Sequence, residues 1–318
     1  MTVINRSAVN RPAIIDGREC ARLLRESVAL EAKQLREDGI GCGLATILVG
    51  ADYSALAYER RLRRVCDFLE VRHRSCRLPA TASEAELLAL IHQLNADPAV
   101  SGILVLRPLP RHLREPEIFR ALSPLKDIES VHPENAGLLA LGRPRYVPST
   151  AASVFHLLDT WLEAVGEDKA DFYHRSLIVV VGRSNNVGKP TVSLAYDRQA
   201  AIESIDEWAS RAAGLGPHTR RADVLVVAAG RPGLVKAEHV KEGAIVIDVG
   251  INPVTDPVTG HVRMTGDVDF AAVAPRARAI TPVPGGVGPV TDVWLLRNTV
   301  LAARLQSSAP QARWKAPP

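Results

Sequence analysis

Short apolar runs, rich in β-branched residues, alternate along this chain with stretches whose apolar residues return every three or four positions. Gly43-Leu-Ala-Thr-Ile-Leu-Val-Gly50 and Gly102-Ile-Leu-Val-Leu106 are apolar at nearly every position. Runs of this kind predict strands buried on both faces, as in parallel sheets. Helical spacing covers residues 17 to about 35, with Asp16 placed to cap it, then 54–69 and 83–95, with a strand over 71–78. After a helix over 150–165, the second half predicts strands over 177–181, 200–205, 223–230 and 244–250. Helices are expected over 191–196, 206–213 and 291–306. Alternation at this spacing predicts an α/β protein of two domains, each built on a parallel sheet. The expected boundaries are 13–149, completed by the helix 291–306, and 150–290, with loose tails at 1–12 and 307–318. Residues 123–150 lack a regular period and are dense in Pro, Gly, Asp and Glu; such a stretch inside a domain is usually functional.

Composition narrows the class. A chain of 318 residues can bury two cores, and 47% hydrophobic with 23% charged residues is a soluble, globular profile. The net charge is only +4 and aromatics make up 4%, so Arg60-Arg61-Leu-Arg63-Arg64 reads as a solvated helix face and no nucleic-acid partner is expected. Cys20, Cys42, Cys66 and Cys76 lack Cys-x-x-Cys spacing, which predicts free thiols and no metal site. No window is apolar enough to span a bilayer and the first residues carry no signal-like segment; the expectation is a cytoplasmic protein without a membrane partner.

Candidate chemistry gathers at the ends of the predicted strands. Leu177-Ile-Val-Val-Val-Gly-Arg-Ser-Asn-Asn-Val-Gly-Lys-Pro190 is a strand, a glycine turn and a helix start, the context in which backbone N–H groups receive a phosphate. Its spacing, Gly182-Arg183-Ser184-x-x-Val187-Gly188, departs from G-x-G-x-x-G, and a tight turn that binds nothing is the alternative. Gly230-Arg-Pro-Gly233 and Gly250-Ile251-Asn252 end two further strands, and three converging turns suit a dinucleotide better than one. Asp206, just beyond the second strand of that domain, either accepts ribose hydroxyls or caps the next helix, and both roles can coexist. With Glu207 it repels a 2′-phosphate, while Arg183 would attract one; on balance Asp206 favours NAD over NADP. In the first half, Tyr58, Arg61 and Leu62 share a helix face, and Asp127 and Glu129 precede His132. From the residues alone these loop carboxylates read as solvated.

A larger pattern adds to this. Asp16-Gly17, Val49-Gly50 followed by Tyr58, Pro124-Leu-Lys-Asp127, His132-Pro-Glu-Asn135-Ala-Gly137, the turn at 182–190, Ala222-Asp-Val-Leu-Val-Val-Ala-Ala-Gly-Arg-Pro-Gly233, Ile247-Asp-Val-Gly-Ile-Asn252, Gly266-Asp-Val-Asp269 and Thr281-Pro-Val-Pro-Gly-Gly-Val-Gly-Pro289 occur in this order. Over residues 13 to 306 the chain resembles the methylenetetrahydrofolate dehydrogenase/cyclohydrolase (FolD) family. The resemblance implies an N-terminal folate-binding domain, a Rossmann-type NAD(P)-binding domain, a cleft between them and a homodimer. It implies a tetrahydrofolate substrate held by Tyr58, Leu62, Leu106, Asp127, Glu129, Pro284 and Gly285, with Tyr58 and Glu129 closest to the chemistry. It also implies a cofactor held by Gly182, Arg183, Ser184, Val187, Gly188, Asp206, Gly230, Ile251 and Thr291.

Departures fall on the folate side. The family's lysine four residues after the tyrosine is Leu62, its supporting glutamine is Leu106, and a serine three before the tyrosine is Ala55. The second aspartate of Lys-Asp-Val-Asp-Gly is Glu129, followed by Ser130, and a Pro-Cys-Thr-Pro segment is Pro148-Ser-Thr-Ala151. Leucine carries no proton, so the resemblance implies dehydrogenase chemistry with cyclohydrolase activity weak or lost. The alternatives are a relative repurposed for another substrate, and a non-catalytic paralogue that binds folate or nucleotide.

Overall fold

The computed structural model describes Ile4–Asn5 and residues 12–255 and 260–308. Its strands in chain order are β1 (Ile4–Asn5), β2 (Ala13–Ile15), β3 (Gly43–Val49), β4 (Arg72–Leu78), β5 (Gly102–Val105), β6 (Leu177–Val181), β7 (Ala201–Ile205), β8 (Val224–Val227), β9 (Ile245–Asp248), β10 (Asn252–Thr255), β11 (Val262–Thr265) and β12 (Ala279–Ile280). The chain divides into two compact units, one of residues 24–149 with 292–318, the other of residues 1–23 with 150–291.

The first unit holds a three-stranded parallel sheet ordered β4-β3-β5. All seven residues of β3 are buried because helices cover both faces, which is why its sequence shows no alternation. Ile47, Val49, Ile103 and Val105 meet Leu87 and Ile91 of helix Glu84–Ala96 in one core. That helix starts where Ser83 and Glu86 exchange hydrogen bonds in a capping box. Helix Tyr53–Leu69 turns Ala55, Leu62, Cys66 and Leu69 inward; Asp52 caps its start and Glu70, at φ 55°, ends it. The last helix, Val287–Ser308, returns to this unit, where Asn298 Nδ2 donates to the carbonyls of Ile128 (2.8 Å) and Val147 (2.7 Å).

The second unit holds a seven-stranded sheet ordered β1-β2-β12-β9-β8-β6-β7, parallel except for β1. Strand order reverses about β6, with β7 on one side and β8 on the other, so the ends of β6, β8 and β9 frame the position where such sheets bind ligands. Val179, Val181, Leu225, Val227 and Val246 form its core.

Several expectations are corrected. The boundary expected at residue 13 moves to 24, because β2 adds to the second sheet beside β12. The loose tail expected over 1–12 contains β1, paired to β2; its residues 1–3 and 6–11 lie outside the described residues. The final helix runs to Ser308, and the rest of the tail expected over 307–318 lies outside them too. The irregular stretch 123–150 contains helix Pro133–Ala140, and helix Glu115–Arg120 precedes it; both begin with proline in the first turn and are too short to show a period. The helix expected over 206–213 is a run of turns, since Trp208 is 61% exposed and no apolar stripe there reaches the core. Helix Lys169–Arg175, capped by Asp168, and the hairpin β10–β11 were not expected.

All four cysteines are free, and none is exposed. Burial pushes the thiols of Cys20, Cys42 and Cys66 up to about 12. No helix among the described residues is long and apolar enough to cross a membrane.

Leu62 is 0% exposed. Truncation there leaves a cavity in a close-packed core, so Leu62→Ala is expected to cost about 2–5 kcal/mol of unfolding free energy in denaturant titration. A loss under about 0.5 kcal/mol, the range of surface substitutions, would contradict the packing described.

Candidate active site

At the end of β6 the chain turns at Gly182, whose φ of 124° suits glycine, and a Cβ there would collide with the Ala228 carbonyl. A Cβ on Gly188 would strike the Gly182 carbonyl, so the turn closes this tightly only with glycine at both positions. Ser184 Oγ accepts from Val187 N (3.2 Å) and Gly188 N (3.4 Å), tying the turn to the start of helix Gly188–Asp197, whose N-cap position is Val187. Thus the serine that breaks the glycine pattern organises the turn. Asn186 Oδ1 is buried there and accepts no hydrogen bond from the described residues. Two glycines that bring backbone close, a helix start and an acceptor still to be paired fit the phosphate and ribose portions of a dinucleotide.

Asp206 follows β7. Its Oδ1 accepts from Trp208 N (3.1 Å) and Ala209 N (2.9 Å), and its Oδ2 lies 3.4 Å from Arg183 Nη1. Those N–H bonds come first among the forces holding its carboxyl below the usual range, with the Arg183 charge adding to them. It therefore caps a turn rather than a helix, and its charge partly occupies Arg183.

Two carboxylates missed as site residues brace the remaining edges. Asp267 accepts from Ala229 N (2.6 Å), Gly230 N (2.8 Å), Arg231 N (2.8 Å) and Asn252 Nδ2 (2.8 Å). Asp248 accepts from Gly250 N (2.9 Å), Asp267 N (3.0 Å) and Val268 N (2.9 Å). Their only trace in the sequence is the recurrence of aspartate beside glycine, in Ile247-Asp-Val-Gly250 and Gly266-Asp-Val-Asp269. Ile251, next to this network, is 55% exposed, while Thr291 is buried and its Oγ1 donates to the Val287 carbonyl at 3.1 Å. Pro284 is exposed; Gly285, at φ 114°, is buried beside the Arg18 guanidinium.

In the first unit, Tyr58, Glu129 and Ser149 come together. Ser149 N donates to Glu129 Oε1 at 3.2 Å, and the Ser149 side chain lies beside both the phenol and the carboxylate. Burial pushes Glu129 up to about 7 against the pull of Ser149. Burial, then the charges of Asp292 and Glu129, raise the Tyr58 phenol well above its ordinary value. A carboxyl poised near neutrality beside a phenol can accept hydrogen bonds from a ligand or exchange a proton with it.

Three expected substrate contacts are not available to a ligand here. Asp127 is 1% exposed and accepts from Val131 N (3.1 Å), His132 N (2.9 Å) and Asn135 Nδ2 (2.8 Å), so it braces the loop that carries Glu129. Leu62 at 0% and Leu106 at 2% exposure face the core. Arg61 instead occupies the outer face. Its Nε is 3.1 Å from Asp292 Oδ2 and its guanidinium carbon 5.2 Å from the centre of the Tyr58 ring. Asp292 follows Thr291 in the last helix and had no motif to mark it.

The family profile described as tetrahydrofolate dehydrogenase/cyclohydrolase, catalytic domain, matches residues 15–129, and that of the NAD(P)-binding domain matches residues 148–307. The chain is 58% identical over 301 residues to a Rubrobacter xylanophilus protein named Bifunctional protein FolD 3, covering 94% of this chain and 95% of that one. It is 59% identical to Bifunctional protein FolD 2 of the same organism, covering 92% and 91%. Among solved structures, that of Trypanosoma brucei N5,N10-methylenetetrahydrofolate dehydrogenase-cyclohydrolase, complexed with NADP cofactor and inhibitor, matches with a TM-score of 0.86 at 34% identity, covering 95% of this chain and 100% of that one.

Removing the Asp267 carboxylate leaves three partly buried backbone N–H groups without their acceptor, each costing about 1 kcal/mol or more. Asp267→Ala is therefore expected to lower unfolding free energy by about 3 kcal/mol or more. Calorimetry or denaturant melts check this; a change within about 0.5 kcal/mol would mean the network is dispensable.

Proposed function

The chain belongs to the tetrahydrofolate dehydrogenase/cyclohydrolase family, and on that premise we propose that it oxidises the one-carbon bridge of methylenetetrahydrofolate. The observation that carries the reading is the meeting of Tyr58 and Glu129 around Ser149 in the unit whose sequence matches the family's catalytic domain. In this reading Tyr58 packs against the pterin or its linker, and the Glu129 carboxylate accepts from the pterin's amino and ring N–H edge. Pro284 and Gly285 are further residues offered to the substrate. The nicotinamide supplies the hydride acceptor. Gly182, Arg183, Ser184, Val187, Gly188, Asp206, Gly230, Ile251 and Thr291 are the residues offered to the cofactor.

Hydride transfer asks the protein mainly to position carbon against carbon, so it survives the loss of a proton-carrying side chain. Water attack on the oxidised bridge and the ring opening that follows both need protons moved at the site. Leu62 moves none, and Arg61 on the same helix is engaged with Asp292 at 3.1 Å. The proposal is therefore dehydrogenase activity with weak or absent cyclohydrolase activity, in a cytoplasmic homodimer. Asp206 supports NAD over NADP.

Three measurements test this. Purified protein with methylenetetrahydrofolate should reduce NAD in an absorbance assay, while hydrolysis of methenyltetrahydrofolate stays close to the uncatalysed rate; no turnover with either cofactor defeats the proposal. Asp206→Ser removes the charge facing a 2′-phosphate and frees Arg183, so the NADP-to-NAD ratio of kcat/KM should rise by about tenfold, equivalent to ~1.4 kcal/mol. Finally, folate needs the ionised Glu129, whose carboxyl is held up at about 7 by burial, with Asp127 opposing ionisation and Ser149 and Arg107 favouring it. Affinity should therefore increase as pH rises through about 7 and fall below it, and Glu129→Gln should flatten that dependence. An unchanged profile in the variant would remove Glu129 from the site.

A further inference from the structure

Where the family places its lysine, this chain buries a leucine, but the residue before it makes a different arrangement. Arg61 reaches across the Tyr58 ring to Asp292, forming an ion pair whose two members differ in environment. The Arg61 side chain is 43% exposed and that of Asp292 only 8%. Water screens the guanidinium, whereas the buried carboxylate keeps its field within the protein. The pair is electrically lopsided, with its negative end facing inward.

Asp292 also has an oxygen to spare. Oδ2 is engaged by Arg61, but Oδ1 is buried and accepts no hydrogen bond from the described residues. Buried polar atoms are nearly always paired, so an orphan acceptor at a helix position beside the candidate site calls for a partner. Burial pushes this carboxyl up to about 6 against the pull of Arg61, which leaves it ionised at neutral pH. Its charge is felt at the Tyr58 phenol.

Resting on the function proposed above, we infer that Asp292, steered by Arg61, is the counter-charge for the cationic one-carbon bridge that oxidation creates. In that step a C–H bond of the bridge breaks and both its electrons leave with the hydride to the nicotinamide, which is reduced. No proton is released. The bridge carbon and its two flanking nitrogens are left sharing one positive charge. A basic side chain at position 62 adds no attraction for that cation, whereas a carboxylate at 292 does. The wall beside the bridge has thus exchanged a group suited to moving protons for one suited to holding positive charge.

The test compares two ligands that share a ring system and differ in the charge of the bridge. Binding of methylenetetrahydrofolate and methenyltetrahydrofolate to the full chain is measured by rapid-mixing fluorescence without nicotinamide, so that no hydride can move. The wild type is expected to hold the methenyl cation about tenfold tighter, a difference of ~1.4 kcal/mol. In Asp292→Asn that preference should shrink to within about twofold (~0.4 kcal/mol), with methylene affinity nearly unchanged. Equal affinities in the wild type overturn the inference whether or not the variant folds. An equal loss of both ligands in the variant overturns it as well, assigning Asp292 a structural role. If neither ligand binds the wild type, the proposed function falls along with it.

Discussion

Asp267 is the point on which the second unit's ligand edge depends. It is fully buried, and burying a carboxylate is costly unless donors replace its water; three consecutive backbone N–H groups and one side-chain amide do so. Those three N–H groups belong to the turn after β8, so the charge fixes the path of that turn directly. Asp248, at the end of β9, in turn accepts the backbone N–H of Asp267 and of Gly250. The glycines are matched to the acids. A Cβ on Gly250 would run into the Asp267 carboxyl, and one on Gly266 into that of Asp248. Two strand ends, a hairpin and the loop after it are thereby held by backbone hydrogen bonds to two side chains, with glycine wherever a side chain would intervene.

The first unit solves the same problem with different residues. Asp127 gathers two backbone N–H groups and the Asn135 amide, while the Lys126 ammonium donates to the carbonyls of Leu94 (3.0 Å) and Asp97 (2.7 Å). Neighbouring residues of one loop are thus tied in opposite directions, one through its carboxylate and one through its ammonium. Glu129, two positions on, is only half-buried and accepts from Ser149 N at 3.2 Å. Sequence could not separate the two acids, since both sit in one polar stretch without a period. Only the burial of Asp127 and the direction of its donors do so.

Legibility followed the physics of each element. Strands buried on both faces, such as β3 and β6, announce themselves because every position must be apolar, and helix Glu84–Ala96 does so through apolar residues at helical spacing. The turn at Gly182 was visible as a strand–glycine–helix sequence, and Ser184 proved to tie it to the helix start. Helix Pro133–Ala140 was not visible, for eight residues give barely two turns of pattern. The two-residue strand β12 and the three-residue β2 owe their existence to sheet neighbours that no local signal encodes. Residues carried by motifs could be named from the sequence, whereas those brought together by tertiary contact could not. Asp292 is the plainest case, lying in a different part of the chain from the Arg61 that gives it meaning.

Position 62 ties these strands of reasoning together. Leucine there is neither an exposed substitute nor a lining residue; it is core, packed on the inward face of its helix with Cys66 and Leu69. A side chain that must keep a charge or a proton in contact with a ligand cannot occupy that inward position without breaking the packing or carrying an unpaired polar group inside. On the neighbouring face Arg61 and the buried Asp292 pair beside the tyrosine ring. Under the proposed function, leucine at 62 leaves untouched the demands of hydride transfer, which are those of position, and lacks the functional group that proton transfer would need.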